Sequence, residues 1–301
     1  WKRRRCELDI GILNGEIGST MEGFEGSEGY DSRSSRVLSL LQNLSSCGTI
    51  MFAGSVLWFV IGKLTLGSGT PRENPFFVAD AELWNVSNED TVPFVQLVIV
   101  FLAAFIPAML ILEILVRIGN WSFAEVVKSF FRFAFGLMGS VAITGTFVDI
   151  AKRAVGELRP DFYSRCYGHE ASLPTSDMYS DVIKDNQGCN GDNLEVLNSG
   201  RRSFPSGHAG IAMAGSFFMT LYFLYVAKRL KRPWLSQIIF FVAMVPFSYG
   251  LWVSLTRVID NVHHPADIVG GALLGITVSS LYYVWTISLE PNGLDADKYL
   301  G

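Results

Sequence analysis

Three short stretches in the second half of the chain hold the side chains best suited to chemistry. The first runs Lys152-Arg153-Ala154-Val155-Gly156-Glu157-Leu158-Arg159-Pro160, and the second Arg202-Ser203-Phe204-Pro205-Ser206-Gly207-His208. The third runs from Thr256-Arg257 through His263-His264 to Asp267. Each lies at the edge of a hydrophobic run, where cationic and imidazole groups are costly unless they have work to do. Together they supply fixed positive charges, histidines and a carboxylate. That inventory suits an anionic, phosphorylated substrate.

A phosphoryl group in transfer spreads negative charge over its equatorial oxygens. Guanidinium forks bind such oxygens in pairs and an ammonium binds them as a point charge, so Lys152, Arg159 and Arg257 form a natural cradle. Ser206-Gly207-His208 opens a helix, whose free amides and positive end add donors, and Gly207 allows close backbone approach. Two histidines divide the remaining labour: one attacks phosphorus to give a phosphohistidine, and the other protonates the leaving alcohol. Asp267 follows His263 by four residues, one helical turn, and is placed to hold the far nitrogen of a nucleophilic His263. His208 is then the general acid, later activating water. No metal is required, because Arg and Lys charges fill the place of a divalent cation. The His263-His264 pair also lacks the further Cys, Glu or His cluster that would complete a metal site.

Simpler readings exist for each residue alone. A basic residue at a helix end is usually a snorkelling anchor, and a lone histidine at a membrane edge usually a packed polar group. The three stretches acquire a functional meaning jointly, through where the intervening elements put them.

The chain has 301 residues, half of them hydrophobic, and a mean hydropathy of +0.31. The apolar residues are bunched into runs of roughly twenty, the length that crosses a bilayer. Six spans are read at about 47–66, 92–116, 127–151, 209–227, 233–255 and 268–287. Small residues in the third (Gly136, Gly139, Ser140, Gly145) allow close helix approach. The expected organisation is a polar cytoplasmic N-terminal tail (1–46), a six-helix transmembrane domain (47–288) and a cytoplasmic C-terminal tail (289–301). Loops at about 67–91 and 152–208 face the lumen. The opening Trp1-Lys2-Arg3-Arg4-Arg5 shows no cleavable signal peptide and no initiator Met. The net charge of -4 is modest and says little about partners; a nucleic-acid binder would need a basic face, and the acidic tail residues argue against one.

Cations set the orientation. Lys2, Arg3, Arg4, Arg5, Arg33, Arg36, Arg117 and the Lys228-Arg229-Leu230-Lys231-Arg232 loop share one face, which is therefore cytoplasmic. The 152–208 loop carries Lys152, Arg153, Arg159, Arg165, Lys184, Arg201 and Arg202 on the opposite face, a violation that points to charges held by function. With alternating helices, Lys152, Arg159, His208, Arg257 and Asp267 all reach that same non-cytoplasmic surface. The fold class expected is an all-α integral membrane protein with its active site at the non-cytoplasmic ends of helices 3 to 6.

The stretches resemble the three signature motifs of the type 2 phosphatidic acid phosphatase superfamily: Lys-x6-Arg-Pro, Pro-Ser-Gly-His and Ser-Arg-x5-His-x3-Asp. Here they read Lys152 to Arg159-Pro160, Pro205 to His208, and Arg257 to His263 to Asp267. The segment Asn88-Glu89-Asp90-Thr91-Val92-Pro93 is similar to one in the lipid phosphate phosphatase branch. The resemblance implies a six-helix enzyme that hydrolyses lipid phosphate monoesters, such as phosphatidic acid, without Mg²⁺ or other cofactor. It also implies His263 as nucleophile, Asp267 as its orienter and His208 as general acid. Lys152, Arg159, Ser206, Gly207 and Arg257 are the implied phosphate binders, and His264 stays a neighbour. Thr256 stands where the pattern has Ser, and Glu157 lies where a basic residue is frequent, weakening the positive field.

On the non-cytoplasmic side Cys166 and Cys189 could pair as a disulfide over the site, while Cys6 and Cys47 stay reduced. Asn85-Val86-Ser87 is a glycosylation acceptor if its loop is luminal. The competing readings are an isoprenoid diphosphate or sphingoid phosphate phosphatase, and a non-catalytic lipid-binding relative. The partners expected are the lipid substrate and membrane lipids, with a homo-oligomer compatible. The location is the plasma membrane or an endomembrane, with the site facing lumen or exterior.

Overall fold

The computed structural model describes residues 48–66, 69–86, 88–116, 123–168, 181–184, 186, 189, 193–230 and 232–289. The two expected tails, apart from Leu289, with Cys6, Cys47, Arg117, Ser87 and Lys231, lie outside the described residues. Helices in chain order are α1 (Thr49–Leu66), α2 (Phe94–Val116), α3 (Phe123–Val155), α4 (Phe162–Tyr167), α5 (Leu194–Gly200), α6 (Gly207–Arg229), α7 (Pro233–Ile259) and α8 (Pro265–Ser288). Two short strands, β1 (Phe76–Phe77) and β2 (Val182–Ile183), pair antiparallel.

Five helices, α2, α3, α6, α7 and α8, are long and apolar enough to cross a membrane. α1 is apolar but shorter. α3 has 33 residues, about 50 Å at 1.5 Å per residue, longer than a hydrocarbon core is thick. The fifth span is not one unbroken helix. Its ladder breaks at Ala243, where Pro246 has no N–H to return to the Val242 carbonyl. α2 likewise passes through a π-helical segment at Phe101–Phe105, next to Pro107.

α6 is the hub, packed against α3, α7 and α8, while α1 and α2 lean on α3. Its contact with α8 is the tightest, because backbone meets backbone. A methyl group on Gly275 would sit 2.3 Å from the Gly210 carbonyl oxygen, and one on Gly271 would sit 2.4 Å from that of Ser206. The small residues of α3 play a similar part, since a Cβ at Gly136 would meet the Thr286 hydroxyl at 2.4 Å. Leu97, Met109, Phe133, Leu137, Phe218, Met219 and Tyr222 fill the centre. There the Tyr222 hydroxyl contacts the buried Glu113 carboxylate at 3.0 Å. Outward faces carry exposed apolar residues such as Ile99, Leu102, Phe241, Leu273 and Leu281, the surface a lipid-facing bundle presents.

The helix ends named by the three stretches meet at one end of this bundle, tied by backbone hydrogen bonds. Ser203 N–H donates to Glu157 (3.0 Å), Arg159 to Gly200 (2.8 Å), Ser206 to Asp267 (3.0 Å) and Asn88 to Asp260 (2.9 Å).

Candidate active site

The centre of the site forms where α7 gives way to α8. Asn261 takes a positive φ of 57°, a conformation its short amide side chain tolerates, and Pro265 starts α8 at a position needing no N–H. Asp267 then falls in the first turn, fully buried. Its Oδ2 accepts from the His264 N–H at 2.9 Å and from Ser203 Oγ at 2.5 Å, and lies 3.2 Å from His263 Nδ1. With Nδ1 turned to the carboxylate, Nε2 of His263 is the nitrogen left for chemistry. Burial and the charges of Lys152 and Arg159 push the His263 imidazole down to about 3, outweighing its hydrogen bond to Asp267. The ring is neutral at ordinary pH, the form that attacks.

Opposite it, a cavity of about 290 Å³ is lined by Lys152, Arg159, Gly207, His208 and His263 together with apolar Phe59, Phe94 and Ile211. Lys152 projects from the last turn of α3 and donates to the Arg202 carbonyl at 2.6 Å. The chain then turns at Gly156, whose φ is +65° and whose missing Cβ would clash with the Arg72 carbonyl at 2.1 Å. That turn brings Arg159 back over the cavity. Burial, then the neighbouring Arg165, lowers the Arg159 guanidinium to about 10, so it stays cationic. Ser206 caps α6 by accepting from the Ala209 N–H, which aims the helix N-terminus at the same space. A Cβ on Gly207 would stand at ordinary distance, 3.8 Å, from the Lys152 side chain. His208 stacks edge-on to Phe94, with ring centroids 5.6 Å apart, and its buried Nε2 has no hydrogen-bond partner among the described residues.

Arg257 differs from the expected cradle. It is 1% exposed, and its fork is held by Asp90 (2.9 Å), Asp260 (2.6 Å) and the hydroxyl of Thr256 (3.0 Å). Asp260 in turn accepts from the Thr91 N–H and hydroxyl. The Asn88-to-Pro93 segment is thus stitched to the end of α7.

A second, outer cavity of about 910 Å³ meets the site at His263 and His264 and is walled by Phe76, Leu83, Asn85 and Glu157 among others. Asn85 donates its side-chain N–H to the Glu82 carbonyl at 3.1 Å. Glu157, His264 and Asp267 offer donor atoms within 4.8 Å of one another, the one such set among the described residues. The sequence did not bring Glu157 to His264. Asp267 and Glu157 raise the His264 pKa, and burial, then Asp267, raises that of Glu157.

Not every cation of the 152–208 loop faces the site. Arg165 pairs with Asp161 through two bonds, of 3.0 and 2.6 Å. Arg201, fully buried, bonds to Asn186 and the Asn74 carbonyl and lies 5.0 Å over the Phe162 ring. These charges pin the loop. A disulfide joins Cys166 to Cys189, beside a small core of Phe76, Leu83, Leu158, Phe162 and Leu197. Ser203 and Asp260 escaped the sequence reading, although Ser203 stands in the second stretch. Their roles rest on the contacts they make with Asp267 and Arg257 in the folded chain, for which the sequence carries no signal.

The PAP2 superfamily model matches residues 133–289, which hold every one of the site's motif residues. A probable diacylglycerol pyrophosphate phosphatase 1 of Schizosaccharomyces pombe is 30% identical over 81% of both chains. Phospholipid phosphatase 1 of mouse is 30% identical over 75% of this chain and 81% of its own. Lipid phosphate phosphatase 2 of Arabidopsis thaliana is 33% identical over 54% of each. No solved structure matches significantly. With the family model covering more than half its length, this chain belongs to the PAP2 superfamily.

Proposed function

We propose that this chain is a membrane lipid phosphate phosphatase that hydrolyses phosphatidic acid or a related lipid phosphate monoester through a phosphohistidine on His263. The observation that carries the reading is one cavity in which a neutral, Asp267-backed imidazole faces Lys152, Arg159 and His208. The names of the relatives, lipid phosphate, phospholipid and diacylglycerol pyrophosphate phosphatases, point to the same substrate class.

The phosphate sits between Lys152, Arg159 and the N-terminal amides of α6 and reaches Nη1 of Arg257, with its lipid body along Phe59, Phe94 and Ile211. His263 Nε2 attacks phosphorus as His208 gives its proton to the departing alkoxide, releasing diacylglycerol. Asp267 stabilises the charge that develops on the His263 ring. His208, now neutral, takes a proton from water as the water attacks the phosphohistidine and frees phosphate. Fixed cations carry the charge throughout, so no divalent ion enters any step. We place α1 as a sixth span and the site on the lumenal or exterior face, in keeping with the disulfide joining Cys166 and Cys189 and with the cytoplasmic bias of cations elsewhere.

The test is phosphate and diacylglycerol release from phosphatidic acid by the purified chain in detergent with excess EDTA. Sphingoid phosphate and isoprenoid diphosphate are run alongside. Release that survives EDTA is expected. Release abolished by EDTA contradicts the metal-free reading, and no release from any of these lipids contradicts catalysis.

A further inference from the structure

Two carboxylates of opposite character hold Arg257. Asp260 is 1% exposed and fixed from both sides. Its Oδ2 takes Nη2 of Arg257 at 2.6 Å and the Thr91 N–H at 3.0 Å, and its Oδ1 takes the Thr91 hydroxyl at 2.5 Å. Thr256 Oγ1 accepts from Nε and Nη2 of Arg257. These contacts hold Nε and Nη2 of the guanidinium without Asp90. Asp90 takes the remaining arm, Nη1, at 2.9 Å, while its own side chain is 49% exposed.

Arg257 nonetheless borders the site. The segment carrying its partner Asp90 runs on to Phe94, which lines the inner cavity and packs edge-on to His208. A carboxylate oxygen on a guanidinium N–H is the same chemistry as a phosphate oxygen there. The backbone around Asp90 is anchored independently: Asn88 donates to the Asp260 and Ile259 carbonyls at 2.9 and 3.1 Å. The Asp90 side chain can therefore leave Arg257 for solvent by rotamer change while the segment stays in place.

We infer that Asp90 competes with the substrate phosphate for Nη1 of Arg257, a role that rests on the phosphatase reading above. Phosphate entry displaces the carboxylate, and its return helps expel the inorganic phosphate product. Asp90 thus weakens binding of every phosphate ligand rather than aiding it. A residue that merely positioned Arg257 would do the reverse, which makes the two roles separable by sign.

The experiment is calorimetric binding of inorganic phosphate and of orthovanadate to the purified full chain, without turnover. Wild type is compared with Asp90→Asn, Asp90→Ser and Asp90→Glu, each checked by thermal unfolding. Removing a half-exposed partner from an ion pair should tighten binding about fivefold in Asp90→Asn and Asp90→Ser, with Asp90→Glu near wild type. The inhibition constant for phosphate during phosphatidic acid hydrolysis should fall by the same factor. Unchanged or weaker binding in both neutral variants overturns the competition. Wild type that binds neither anion overturns the phosphate site itself, and this inference with it. Should Asp90→Asn unfold, Asp90→Ser decides, and unfolding of both would show Asp90 to be structural and overturn the proposal.

Discussion

Oδ2 of Asp267 lies 3.2 Å from Nδ1 of His263 and at the same time accepts from the Ser203 hydroxyl at 2.5 Å and the His264 N–H at 2.9 Å. One carboxylate oxygen therefore fixes the imidazole, the entry to α8 and the stretch before α6. Replacing Asp267 by Asn should leave its size but reverse the preference of Nδ1, lowering the turnover number by on the order of a hundredfold or more. Ser203→Ala should cost about tenfold, since it loosens one bond to Asp267. Steady-state hydrolysis of phosphatidic acid by the two variants checks this. Equal losses would mean that Ser203 is itself a reacting group.

The two adjacent histidines should respond oppositely to pH. An unfolded imidazole takes up its proton near pH 6.5, about the ordinary value, whereas folded His263 does so only at about 3. Between those values the unfolded state binds more protons, so the contribution of His263 to stability is lost as pH falls through that window. The folded pKa of His264 is raised, first by Asp267. Its contribution is complete below the unfolded value and disappears as pH rises through the folded one. Thermal unfolding should therefore show that His263→Gln flattens the acid side of the stability curve. His264→Gln should lose stability at about pH 5.5 but little at about pH 9. Parallel curves for the two variants would contradict these environments.

The Cys166–Cys189 bond closes a loop over a sequence separation of 23 residues. Closing a loop of that size contributes about 3 kcal/mol through the unfolded chain. Cys166→Ser with Cys189→Ser should lower the unfolding midpoint and speed protease cleavage between β2 and α5. Lys152 and Arg159 belong to segments held by other contacts, so phosphate affinity should change by less than about threefold. A large loss of affinity with little loss of stability would place the loop in the site.

The α6–α8 contact leaves no room for a side chain on Gly275, where a Cβ would lie 2.3 Å from the Gly210 oxygen and 2.8 Å from the Ala214 nitrogen. Gly275→Val should cost on the order of 3 kcal/mol or more, as overpacking against rigid backbone does. Gly275→Ala should fall between it and wild type. Thermal unfolding in detergent measures both, and a neutral Gly275→Val would contradict the packing.

Much of the site was legible because its residues stand at helix ends, where parity alone sends them to one surface. Lys152, Arg159, His208, His263 and Asp267 needed only their spacing and the count of spans between them. Arg257 was legible as a residue but not in its partners, because Asp90 lies about 170 positions away in sequence and only the packed segment before α2 brings it near. Ser203 was invisible for the same reason. The hydrophobic runs gave the helices α2, α3, α6, α7 and α8, yet hid the π-helical segment beside Pro107 and the break before Pro246, which depend on single missing N–H groups. The long loop was read only as polar, whereas α4, α5 and the β1–β2 pair join it to the 67–91 loop around a small core at Phe162. That core draws on segments about a hundred residues apart, each too short to show a periodicity.

The central claim is that His263 carries the phosphoryl group between lipid and water. Rapid quench of the purified chain with phosphatidic acid labelled on phosphorus, in excess EDTA, tests it directly. Wild type should yield an acid-labile, base-stable phosphoprotein whose label maps to His263. Its amount should rise in His208→Ala if that residue activates the water, and it should be absent in His263→Ala. Label on another residue, or hydrolysis undiminished in His263→Ala, would contradict the account.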